Sequence, residues 1–113
     1  MGDFMLLSVF ERANIINILP KEGNFKTLKT LRKLKEDLSL SEEEVKKWRP
    51  SFSEEGIMKW RVLDEDGNQI EQDTDIELSE LSIELIAEIL RKLDNKSQLR
   101  EEHFSLYEKF VSN

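Results

Sequence analysis

The chain has 113 residues, 38% of them apolar and 36% charged, with a net charge of −7 and no cysteine. That length supports one hydrophobic core. The cysteine count excludes a disulfide framework and a thiolate zinc site, and the patterned leucines, isoleucines and aromatics argue against disorder. Residues 1–20 carry −1, 21–53 carry +3, 54–85 carry −9 and 86–113 carry 0, so the excess acid is concentrated in one central block. An acidic chain starts at a disadvantage against phosphate backbones and anionic membranes. Residues 64–84 therefore read either as a solubilising surface or as a charged binding surface.

Asp3 predicts the cap of a first helix over residues 4–19, where Phe4, Leu7, Phe10, Ile15 and Ile18 occupy more than one face. The most apolar stretch, FMLLSVFERANIINIL, is interrupted by Glu11 and Arg12. It falls short of the ~20 residues a membrane span needs. No basic, cleavable leader is legible, so a soluble, cytoplasmic protein is expected.

Pro20 closes that helix, and PKEGN forms a corner in which Gly23 is free to turn left-handed and Asn24 caps the next helix. A single glycine that follows a helix is not a phosphate loop or a dinucleotide fingerprint. The second helix runs from Phe25 to Leu38, with Phe25, Leu28, Leu31, Leu34 and Leu38 expected inward and Lys26, Lys29, Arg32, Lys33 and Lys35 outward. Ser41 and Glu44 form a capping box for a third, short helix that carries Val45 and Trp48 and ends before Pro50.

From Ile57 the period changes to two, which predicts a β-hairpin over about 57–63 and 68–77. A three-residue loop, Glu65-Asp66-Gly67 with Gly67 left-handed, pairs Val62 with Ile70 and matches apolar faces. It would set Arg61 against Glu71 and Lys59 against Asp73. Ser79 opens a fourth helix to about Asp94, striped by Leu81, Leu85, Ile89 and Leu93 and broadened by Ile83, Ile86 and Leu90. A fifth runs from about Arg100 to Val111 and presents Phe104, Tyr107 and Phe110. The expected fold is a single α+β domain over 1–113, mostly α-helical, with three N-terminal helices, one hairpin and two C-terminal helices.

Chemistry has little to stand on. His103 is the only histidine and lacks a partner in the sequence, so it reads as an ordinary surface or interface residue. Asp64, Asp66 and Asn68 alternate like calcium ligands but lack the spacing and terminal glutamate of an EF-hand, and read as turn chemistry. No enzyme activity, metal or cofactor is expected. Three helices and a hairpin follow the order of a winged helix-turn-helix, whose contacts would be Lys26, Lys29, Lys33, Lys46, Lys47 and Arg49. Its reading helix would begin with SEEE and its wing would carry DEDGNQIEQD, both opposed to phosphate.

The apolar excess of the first and last helices favours contact with protein, through Phe4, Leu7, Phe10, Phe104, Tyr107 and Phe110, and a homodimer is favoured over closure within one monomer. Alternatives are an acidic mimic of nucleic acid that inhibits a host or defence protein, and a winged-helix regulator.

Two stretches, ILPKEGNFKTLKTLRKLKEDLSLSEEEVKKW and LREEHFSLYEKFV, resemble small uncharacterised phage and prophage proteins. They share the LPKEGNF corner and the closing SLYEKFV. The resemblance implies a setting, the cytoplasm of an infected or lysogenic bacterium, and assigns no activity.

Overall fold

The structure, a computed structural model, describes residues 2–112. Its elements in chain order are β1 (Gly2–Ser8), α1 (Val9–Ile18), α2 (Phe25–Leu38), α3 (Glu42–Trp48), β2 (Ser51–Phe52), β3 (Met58–Lys59), β4 (Asp73–Ser79), α4 (Glu80–Asn95), a 3₁₀ turn (Glu101–His103) and α5 (Phe104–Phe110). The class is α+β and mostly helical, as the periodicity predicts. The chain packs as two compact units, Met1–Leu38 with Asp73–Asn113, and Ser39–Gln72.

The larger unit corrects the start of the first helix. Residues 2–8 are a strand, and Asp3 caps nothing. Ser8 is the true N-cap: its Oγ accepts from the Glu11 amide at 3.1 Å, while its own amide donates to Glu11 Oε1 at 3.0 Å. This reciprocal box fixes the helix start five residues later than Asp3 would. The strand exists because it has a long-range partner. β1 pairs antiparallel with β4 across its whole length, Met5 opposite Ile76 and Leu7 opposite Thr74.

The inner face of this ribbon and the helices close one core containing Leu7, Ile15, Leu31, Leu34, Leu38, Ile76, Leu78, Ile86, Leu90 and Leu106. α2 packs on β4 and α4, and α5 packs on α4 and α1. α2 has its expected bounds, and Asn24 Oδ1 accepts from the Thr27 amide at 2.8 Å. Its first turn does not pack as the stripe implies: Phe25 is 81% exposed, and Leu28 is exposed too. In α4 the buried line is Ser82, Ile86 and Leu90, with Leu81 left exposed. Gly23 is not left-handed. Its lack of a side chain matters for space, since a Cβ there would meet Thr27 Cγ2 at 3.1 Å.

The smaller unit contains the hairpin turn in the expected register. Leu63 bridges Gln69, the Ile70 amide donates to the Val62 carbonyl at 2.9 Å, and Gly67 has φ +82°. The ladder stops there. β3 turns to β2 instead, with Lys59 opposite Ser51, while Asp73 goes to Ser8 of β1 in the larger unit's sheet. The expected Lys59–Asp73 pairing is therefore replaced. α3 begins with the Ser41–Glu44 capping box and ends on Arg49 in a left-handed conformation, φ +46°. Trp48 is fully buried and its Nε1 donates to the Glu71 carbonyl at 3.0 Å.

Candidate interaction surface

Alternation along β1 sends Met5 and Leu7 inward and Phe4 and Leu6 outward. Phe4 is 67% exposed and Leu6 51%. The residues beside them on β4 are acidic, Glu77 opposite Phe4 and Asp75 opposite Leu6. With Asp73, they make an exposed carboxylate row along the outer face of the second strand. The ribbon thus presents two large apolar side chains flanked by negative charge.

A polar clasp fixes this ribbon to the helices. Lys109 of α5 donates through Nζ to the Leu6 carbonyl and to Glu11 Oε1, each at 2.7 Å. Glu11 is only 6% exposed. Burial pushes its carboxyl up, but hydrogen bonds from Lys109, the Ser8 amide and Ser105, together with the Lys109 charge, outweigh this and hold it below the ordinary glutamate value. Arg12, the next residue, is also buried, and its Nε donates to the Leu38 carbonyl at 3.1 Å. That contact places a cation and a donor at the C-terminal end of α2, where helical carbonyls lack partners. The two charges that interrupt the apolar N-terminal stretch are therefore among its most buried groups.

Of the six residues expected to meet a partner, Phe4, Phe10 and Phe104 are exposed. Leu7 and Phe110 are corrected: both belong to the core, Leu7 because it lies on the ribbon's inner face, Phe110 because α5 turns it toward the cluster. Tyr107 is half-buried against that cluster and its hydroxyl donates to Asp94 Oδ2 at 3.2 Å. Leu6 was missed, because only strand geometry puts it beside Phe4 on one face. A helix over the same residues separates them.

His103 is likewise corrected from a surface residue to a buried one, 7% exposed. Its Nδ1 accepts from the Arg100 amide at 3.1 Å, and its own amide donates to the Arg100 carbonyl. It caps the turn that starts the last helical segment. Asp64 Oδ1 accepts from the amides of Asp66 and Asn68, both at 2.9 Å, so its carboxylate is used in holding the hairpin turn. Among the described residues no group of three or more acidic or histidine side chains is placed to hold a metal.

The six basic candidates divide between the units. Lys26, Lys29 and Lys33 lie exposed on α2, while Lys46, Lys47 and Arg49 lie on α3 and its cap. Lys47 Nζ sits 4.6 Å over the Trp48 ring, and Arg49 faces Glu65 at 3.8 Å. Among the described residues no helix is long and apolar enough to cross a membrane. No protein family matches the chain, and neither a curated protein nor a solved structure does.

Proposed function

We propose that this chain is a non-catalytic protein that works by binding protein, and that it self-associates as a homodimer through the outward face of β1. The observation that carries this reading is the pair Phe4 and Leu6, side by side on one strand face and more than half exposed. Fully burying a Phe or Leu contributes about 1.5–3 kcal/mol. Completing the burial of two such pairs across a twofold axis gives roughly 3.5–7 kcal/mol. Association costs about 4–15 kcal/mol in lost freedom, so this patch alone supports a weak dimer, and the contact has to extend beyond it. Phe10, exposed two residues past the strand, is the nearest available extension. The setting remains that of a phage or prophage accessory protein.

The double substitution Phe4→Ser, Leu6→Ser tests the reading. Both side chains lie outside the core, so the variant keeps its helical circular dichroism and its melting transition. It sediments as a monomer at concentrations where the unmodified chain does not. A double variant with unchanged mass overturns the proposal.

A second reading draws on the row Asp73, Asp75 and Glu77. Alternate residues of a strand recur about every 6.8 Å, which lays three carboxylates in a straight exposed line. Such a line suits an inhibitor that occupies a nucleic-acid site on another protein. That reading requires competition with DNA for the third protein, lost when the three are changed to Asn and Gln.

A further inference from the structure

The basic face of α2 is not used by the proposed self-association. Lys26, Lys29 and Lys33 recur at spacings of three and four, which stacks them on one stripe of the helix. They form one wall of a cleft of about 340 Å³ whose opposite wall is Ser79, Leu81 and Ser82, at the join of β4 and α4. That is the size range of small-molecule sites. The chain has 24 acidic residues, yet none lines this cleft. Lys33 is held by Asp37 at 2.5 Å, but neither Lys26 nor Lys29 has a carboxylate partner among the described residues. Lys26 and Lys29 thus line this cleft without an ion pair of their own, and Lys26 also lines the neighbouring cleft walled by Glu84 and Glu88. The Ser79 hydroxyl accepts from the Ser82 amide and donates to the Ser82 hydroxyl oxygen, so it is not counted as a ligand.

The cleft continues into a smaller one of about 180 Å³, which shares Lys26 and Leu81 but is walled by Glu84 and Glu88 of α4. The groove therefore changes sign along its length. A polyanion laid in it would run from ammonium groups onto carboxylates, which counts against a nucleic-acid strand. A short ligand with an anion at one end and a cation or hydroxyl donor at the other matches both.

We propose that the groove between α2 and α4 binds a small phosphate monoester, its phosphate held by Lys26 and Lys29 and its amine or hydroxyl end turned toward Glu84 and Glu88. Leu81, exposed between the two ends, supplies the apolar wall.

The test is an amide-resolved NMR titration of the full chain with inorganic phosphate and, separately, with O-phosphoethanolamine. Both are compared with sodium chloride at matched ionic strength. Shifts confined to residues 26–33 and 79–88, absent with chloride, support the site. The amine-bearing monoester binding more tightly than phosphate identifies an organic ligand, and equal binding identifies free phosphate. Equal binding keeps the anion contact of Lys26 and Lys29 but overturns the second contact at Glu84 and Glu88. Changing Lys26 and Lys29 to Gln removes two charge-assisted contacts and weakens phosphate binding about tenfold or more. Both lysines are exposed, so the spectrum outside the groove stays as it was. Shifts that chloride reproduces, or an affinity that survives the double variant, overturn the proposal.

Discussion

Glu11 and Lys109 show how one partly buried pair ties distant parts of the sequence together. One oxygen, Glu11 Oε1, serves the helix cap and the lysine at once, and the lysine also holds the backbone of β1. Because the folded carboxyl titrates below its unfolded value, its contribution is complete above the ordinary glutamate range. It is lost as the pH falls through the lowered folded value. Lys109→Met leaves the Glu11 charge buried with fewer partners. The loss should be about 1–3 kcal/mol at neutral pH. Urea unfolding at pH 7 and at pH 3 checks this: the gap between variant and unmodified protein should narrow in acid, and a constant gap would contradict the clasp. A second residue works in the opposite direction. Ser97 takes φ +55° after α4, where its amide donates to the Asp94 carbonyl and the Gln98 amide to Leu93 at 2.7 Å. This is the position that glycine fills in a Schellman end. Ser97→Gly should therefore raise stability by about 0.5–1 kcal/mol in the same unfolding assay.

Among the elements, the N-terminal strand shows where local pattern yields to tertiary pairing. The run FMLLS fits either a helix or a strand, and only the match with DTDIELS some seventy residues later decides between them. Nothing local encodes that partner. Ser8 and Glu11 carry the helix start with the same three-residue spacing as Ser41 and Glu44, but Asp3 stands in front of them. Ser8→Ala should cost about 0.5–2 kcal/mol and fray the first turn of α1, visible as faster amide exchange at residues 9–11. Unchanged exchange there would show that the core, and not the cap, sets the helix start. The elements that were legible share a cause. α2, α3 and α4 carry their own caps and periodicity within a dozen residues, and the Asp64–Gly67 turn is set by its own side chain and glycine. The candidate surface was only half legible for the same reason. Phe4 and Phe10 stand out in any conformation, whereas Leu6 joins them and Leu7 leaves them once the backbone is extended.

At the level of the whole molecule, the two units differ in what holds them. The larger one closes a continuous cluster of buried apolar side chains, whereas Trp48 is the one large apolar side chain of Ser39–Gln72 that is fully buried. Phe52, Ile57, Val62 and Leu63 of that unit are exposed. Units of so few residues hold little stability of their own. Native-state hydrogen exchange should therefore open the β2–β3 pair and the hairpin turn at lower free energy than α4. Equal protection across both units would contradict this division. The distribution of charge bears on association. A twofold contact through Phe4 and Leu6 brings Asp75 and Glu77 of each copy toward the other, and salt screens that repulsion over about 8–10 Å. The most direct measurement is the solution mass of the unmodified chain by sedimentation equilibrium, across micromolar to millimolar concentration at low and high salt. A mass that rises from one chain to two, and does so at lower concentration in high salt, is the predicted result. A single chain at every concentration and salt level would contradict it.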